Sequence, residues 1–200
     1  ERKDEVRVVF IAGPSSSGKT TTTIKVGERL ARQGFKLITL NIDHYFFDLE
    51  MHPKDEFGDY DFETPQALNM RLINQNLSDL FAGKEVRIPF YDFKTGHSVP
   101  DHTPMRLNKN EIVLIDSLHG LYPEMTEDIP DEWKFKLYIE PLLQMKLKNG
   151  CYARWTDIRL MRRMLRDASH RAYDPTQTLL HWHYVRSSEL RHIIPYVNSV

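Results

Sequence analysis

Val6 to Thr21 reads VRVVFIAGPSSSGKTT: an apolar run, a turn of glycine, proline and serine, then lysine and threonines. Gly13, Gly18, Lys19 and Thr20 meet the spacing G-x4-G-K-S/T. Val6 to Ala12 predicts a buried strand, and TTTIKVGERLARQG predicts an amphipathic helix closed by Gly34. A chance glycine–serine turn would lack these two flanking elements. Glycine lets the backbone curl until the N–H groups along Ser15, Ser16, Ser17 and Gly18 point at one anion. The helix that follows, with Thr21 in its first turn, adds the positive end of its dipole. Lys19 is then placed to reach the β- and γ-phosphates of ATP, and the Thr20 hydroxyl to sit on Mg²⁺. The loop does not say which acceptor receives a phosphate.

Two hundred residues suit one α/β domain with a sizeable core. A formal net charge of -1 argues against a general nucleic-acid binder. The single cysteine, Cys151, excludes an intrachain disulfide framework and fits a reducing compartment, so a cytoplasmic location is expected. No apolar stretch approaches membrane-spanning length.

Four apolar runs predict strands: VRVVFIA, FKLITLNI, EIVLIDSL and KFKLYIE. TPQALNMRLINQNLSDLFAG predicts a helix with Thr64 as N-cap, Pro65 in its first turn and Gly83 past its end. KEVRIPFYDFKTGHSVP predicts a small hairpin turning near Thr95-Gly96. Thr156 to Ala172 and Pro175 to Ile194 predict two further helices. Together these give a parallel-sheet α/β architecture.

Two predicted strands end in acids, Asp43 and Asp116. In open α/β sheets ligands sit beyond the carboxyl ends of strands, so both face the same region as the loop. Asp116 after an apolar run fits an acid that orients Mg²⁺, directly or through water. Asp43 can take a proton from an attacking hydroxyl or assist with the metal.

Arg159, Arg162, Arg163 and Arg166 follow the spacing i, i+3, i+4, i+7 and project from one helical face. Asp157 and Asp167 lie off that stripe, and Ile158, Met161, Leu165 and Ala168 are expected to form the buried side. Crowded cations call for an anion, and a triphosphate is the natural one. An RNA-binding or partner-binding face is the rival reading.

These pieces in this order resemble the uridine kinase branch of the P-loop kinases, which includes phosphoribulokinase, and within it a bacterial uridine kinase-like subgroup. The resemblance rests on GPSSSGKTT, IDHYF, YDFETP, IPFYDF, VLIDSLHGLY and DIRLMRRMLRD, and runs from about Val6 to the end. It implies a three-layer P-loop NTPase fold with a parallel sheet, a β-hairpin substrate element and an arginine-rich helical lid over about 154–173. It implies ATP and Mg²⁺ as cofactors, and phosphorylation of uridine or cytidine at the 5′-hydroxyl. Asp43 would be the general base. Tyr45 would contact substrate, Glu63 the ribose, and Tyr91, Phe93 and His97 the nucleobase. Arg163, Arg166 and Arg171 would contact phosphate or substrate.

The partner is then a small-molecule nucleoside, with neither nucleic acid nor membrane, and a homo-oligomer is compatible with this. The sequence departs from the branch at Asp116-Ser117, where Glu-Gly is usual, and at His97, one residue further from YDF. It starts at Glu1 and stops at VNSV, before the family's last core strand. One domain over 1–200, a fragment of a longer chain, is therefore expected. Two rival functions stand beside the nucleoside kinase: a kinase for another small alcohol, such as a sugar phosphate or pantothenate-like compound, and a non-catalytic nucleotide sensor.

Overall fold

A computed structural model describes residues 2, 5–55, 58–141, 145–170 and 174–200. In chain order its main elements are β1 (Val8–Ala12), α1 (Lys19–Arg32), β2 (Lys36–Asn41), α2 (Met70–Phe81), β3 (Glu85–Asp92), β4 (His97–Arg106), β5 (Glu111–Ser117), β6 (Lys134–Tyr138), α3 (Trp155–His170) and α4 (Pro175–His192). Strands β2, β5, β1 and β6 lie in that order in one sheet, every pair parallel. β3 and β4 form a separate antiparallel hairpin whose register shifts between Ile88 and Phe90. Pro89 stands at that shift and has no N–H to give to a ladder.

Every residue of β1 is buried because both faces of the sheet are covered. Val8, Phe10, Leu40, Val113 and Ile115 pack on one side with Ile73, Leu77 and Leu80 of α2 and with Val86, Ile88 and Tyr91 of the hairpin. Val9, Ile11, Ile112 and Leu114 pack on the other with Val26 of α1 and Leu137 of β6. Each fully buried leucine or isoleucine adds about 1.5–3 kcal/mol. The outcome is an α/β fold with a parallel sheet, as the sequence predicts.

Two expectations need correction. Helix α2 does not start at Thr64. Pro65–Ala67 makes a single 3₁₀ turn, Leu68 is extended, and Asn69 caps the real helix by accepting from the Leu72 amide at 3.0 Å. An asparagine side chain satisfies the orphan amide directly, whereas the Thr64 hydroxyl is engaged with Gln66.

The second correction concerns the face that α3 buries. Arg159, Arg163 and Asp167 are inside, while Met161, Leu165 (73% exposed) and Ala168 are outside. Of the expected apolar side only Ile158 is buried. The cause is a set of carboxylates from elsewhere in the chain that the arginines reach.

Candidate active site

The phosphate loop begins where β1 ends. A Cβ on Gly13 would stand 2.2 Å from the Ile139 carbonyl oxygen, so the strand and the segment after β6 approach each other only over a glycine. Gly18 takes a left-handed φ of 104° at the N-cap of α1, and Ser16, at φ 59°, is one of two described non-glycine residues with positive φ. The Ser16 and Ser17 hydroxyls are buried without a hydrogen-bond partner among the described residues. Such donors, at the N-terminus of a helix, suit an anion.

Strand register sets the next element. β5 pairs with β1 so that Asp116 lies beside Ile11 and Ser117 beside Ala12. Asp116 thereby faces the first turn of α1, where the Thr20 hydroxyl donates to its Oδ2 at 2.8 Å. A hydroxyl and a carboxylate side by side are hard oxygen donors of the kind Mg²⁺ takes. Lys19 Nζ donates to the Pro14 carbonyl at 3.3 Å. Burial pulls its ammonium below the ordinary value, against the opposing charges of Asp116, Glu63 and Asp43.

A cavity of about 760 Å³ opens here, lined by Ser15, Ser16, Lys19, Thr20, Asp43, Glu63, Asp116, Arg163 and Arg166, and it extends along α1 to Ala31. Asp43 sits on a 3₁₀ turn, Ile42–Tyr45, that follows β2 directly, and its amide donates to the Asn41 side chain at 3.0 Å. Its carboxylate is exposed toward the cavity. Glu63 reaches the same space from the segment before α2, fixed by its amide to Asp61 at 2.8 Å and by Ser188, which donates to its carbonyl. Thr21 is exposed on α1 and does not line the cavity.

The arginine stripe divides. Arg159 is fully buried. It pairs with both Glu189 oxygens through its terminal nitrogens, donates from Nε to the Ser15 carbonyl at 2.8 Å, and lies 5.3 Å from the ring centres of Trp155 and Trp182. Arg163 donates to Ser15 Oγ at 2.9 Å, to Glu63 at 3.0 Å and to Asp167 at 3.2 Å. Arg166 also meets Asp167, at 3.3 Å, and lines the cavity. Arg162 is exposed, with no acidic partner among the described residues, and its guanidinium comes within 3.4 Å of where a Gly18 Cβ would stand. Arg171 lies outside the described residues, as do 172 and 173 at the end of the expected lid.

The aromatic residues gather apart from the cavity. Phe46, His52, Phe62, Tyr91 and Phe93 form one cluster with ring centres 4.8–6.4 Å apart. Tyr91 is buried within it and Phe93 is 61% exposed. His97 is not in ring contact with the cluster among the described residues; it is 69% exposed, with Nδ1 3.7 Å from Asp48. Tyr45 faces the core: its hydroxyl accepts from Asn76 at 3.1 Å, and burial pushes its pKa to about 12. That corrects the expectation of Tyr45 as a substrate contact, because the 3₁₀ turn points residues 43 and 45 to opposite sides.

Sequence reading missed Glu189 and Asp167 as arginine partners, and His52 and His119 as buried histidines. Their contexts, SSELRH, RDASH, EMHPK and DSLHGL, do not signal burial. His119 follows β5 with neither ring nitrogen hydrogen-bonded among the described residues. Burial lowers its pKa to about 4, so it is neutral beside Lys19 and Glu63.

A family model described as Phosphoribulokinase / Uridine kinase family matches residues 8–199. Uridine-cytidine kinase 2-B of Danio rerio is 30% identical over 179 residues, covering 86% of this chain and 62% of that protein. A uridine kinase of Staphylococcus aureus is 28% identical over 164 residues, covering 82% of this chain and 70% of its own length. The chain thus spans less than two thirds of the zebrafish relative. In fold it resembles a candidate fructose transport system kinase from Silicibacter sp. TM1040, with a TM-score of 0.65 and 15% identity over 93% of this chain and 85% of that one. A match over nearly all the residues, on a phosphate loop, a threonine–aspartate pair and an arginine helix that meet in one cavity, places the chain in the phosphoribulokinase/uridine kinase family.

Proposed function

We propose that the chain is an ATP-dependent kinase that transfers the γ-phosphoryl group to the 5′-hydroxyl of uridine or cytidine, with Mg²⁺. One observation carries this reading: the Thr20–Asp116 contact at 2.8 Å stands in a cavity also lined by Lys19 and Asp43. Nucleotide anchor, metal donors and a cavity-facing carboxylate therefore share one space. The relatives' names supply the acceptor.

In this mechanism the loop amides, the Ser16 and Ser17 hydroxyls and Lys19 hold the triphosphate. Mg²⁺ on Thr20 and Asp116 would offset charge on the β- and γ-oxygens. Asp43 accepts the proton of the 5′-hydroxyl as it attacks phosphorus, and Glu63 holds the ribose. A positioned base contributes about 10²–10⁴ in rate. Arg162 and Arg166 meet the charge that spreads over the transferred group. Arg159 and Arg163 hold Ser15 and Glu63 in place rather than touching phosphate. The chain acts as one domain, in the cytoplasm, serving pyrimidine nucleoside reuse. No helix among the described residues is long and apolar enough to cross a membrane.

One observation favours a different small alcohol as acceptor: the aromatic cluster lies outside the cavity that holds Asp43. ADP release from MgATP, with uridine, cytidine and a panel of sugars, sugar phosphates and pantothenate-like alcohols, separates the two. The proposal expects release stimulated by a pyrimidine nucleoside and lost in Asp43→Asn. Stimulation by another alcohol alone would transfer the site to that acceptor. ATP binding with no stimulated release would leave a nucleotide sensor.

A further inference from the structure

We infer that His52, together with Tyr91, reads the hydrogen-bonding edge of the acceptor's nucleobase, and that His97 does not. This rests on the nucleoside-kinase reading and specifies how that site selects its substrate.

The observation is a pair of buried polar atoms with nothing to bond. His52 Nε2 lies 2.8 Å from the Phe47 carbonyl oxygen. A carbonyl can only accept, so Nε2 carries the proton and donates. Burial also keeps the ring neutral, outweighing the opposing influence of the Phe47 carbonyl and Asp61. Nδ1 is left with a lone pair, and that atom is buried without a partner among the described residues. The Tyr91 hydroxyl is buried and unpartnered in the same way. The two rings are stacked, with centres 6.0 Å apart and planes 21° from parallel. Buried polar atoms are nearly always satisfied, and two such atoms in one aromatic cluster need a shared explanation.

The cluster suits a flat, edge-polar ligand. Phe93 and Phe62 are its outer, exposed rings, and Phe93 packs edge-on against Tyr91 and Phe46. A base that displaces Phe93 outward meets aromatic faces and, beneath, an acceptor from His52 and a hydroxyl from Tyr91. Uracil offers its N3–H to the His52 lone pair and its O4 to the Tyr91 hydroxyl. Cytosine in the same pose sets its unprotonated N3 against that lone pair, so uridine is the better fit. The cluster is tied to the reacting end of the site. Phe46 follows the turn bearing Asp43, three residues and about 6 Å of 3₁₀ rise away. The Tyr91 amide also donates to His44 Nδ1 at 3.5 Å, linking the hairpin to that same turn. His97 points instead to Asp48, whose Oδ1 also accepts from the Ser98 amide at 2.6 Å.

Steady-state kinetics on the whole chain tests this, with uridine, cytidine and 3-methyluridine as acceptors and His52→Gln and His97→Ala as variants. Glutamine can keep the bond to the Phe47 carbonyl through its amide nitrogen while removing the Nδ1 acceptor. The expected result for His52→Gln is a KM for uridine raised about 10-fold, one hydrogen bond's worth. Its kcat should stay within twofold and its melting temperature should not change. His97→Ala should leave KM for uridine within twofold. The unmodified protein should use 3-methyluridine at least about 10-fold less efficiently than uridine, a comparison that needs no variant to fold. Equal use of 3-methyluridine, an unchanged KM in His52→Gln, or a raised KM in His97→Ala would each overturn the inference. If the unmodified protein turned over neither pyrimidine nucleoside, the functional reading would fall first, and this inference with it. That result is visible before any variant is made.

Discussion

In the phosphate loop, the groups suited to an anion come from neighbouring residues: the Ser16 and Ser17 hydroxyls, without a partner among the described residues, and Lys19. In α3, four arginines at helical spacing end in different surroundings, and two of them, Arg163 and Arg166, line the cavity. Arg159 and Arg163 are buried against Glu189, Glu63 and Asp167, whereas Arg162 is exposed and lies over Gly18. A loop's function can follow from local backbone geometry. A helix face acquires its meaning from whatever the rest of the chain lays against it, and here carboxylates 30 and 100 residues away decide which arginines build the frame. Glu63 and Glu189 are those carboxylates for Arg163 and Arg159, at sequence separations of 100 and 30.

The sharpest way to break this contrast is to remove an acid from the frame. Glu189→Ala would leave the Arg159 guanidinium buried and unpaired, and would also release Arg186. Losing one partner of a buried pair costs about 3–5 kcal/mol. In a chain of this size that is about 10 °C of melting temperature. A thermal unfolding curve should show the drop, and an unchanged midpoint would mean that α3 is not held from within.

A buried histidine beside the loop lysine gives a pH signature of slightly smaller size. His119 titrates near 6.5 unfolded but near 4 in the fold, because burial disfavours its charge. Between those values the unfolded chain binds more protons, so stability is full above about pH 6.5 and falls as pH drops toward 4. The whole window is worth about 3 kcal/mol. Chemical denaturation at pH 7 and pH 4.5 should reveal it, and His119→Gln should flatten that part of the profile. Equal slopes in the two proteins would remove His119 from the account.

The same contrast explains what the sequence disclosed. Strands β1 and β5 were legible because both faces of the sheet are covered there, and the edge strands β2 and β6 because apolar residues still recur along them. The loop was legible because its glycines and its Lys-Thr pair act within a few residues. The hairpin turn was legible from Thr95-Gly96. Helix α2 began later than expected because Asn69 offered a better cap than Thr64. The buried face of α3 was misread because helical periodicity shows which residues share a side, not which side finds partners. Apolar Leu165 was expected inside, yet the pairing of Arg159 and Arg163 with Glu189, Glu63 and Asp167 outweighs one leucine's transfer to water. Tyr91 and Phe93 were legible as a pair through the resemblance, but Phe46, Phe62 and His52 were not, since nothing near His52 in sequence foretells a bond to the Phe47 carbonyl.

The smallest expected effect bears most directly on the claim that one helix divides into a buried frame and a phosphate-facing edge. Arg162→Ala removes a side chain that holds no described acid, so the melting temperature should not move. The account predicts a KM for MgATP raised about 10-fold, or about 1.4 kcal/mol, with the KM for nucleoside unchanged. A lowered melting temperature with normal ATP use would contradict it, and would place Arg162 in the frame beside Arg159.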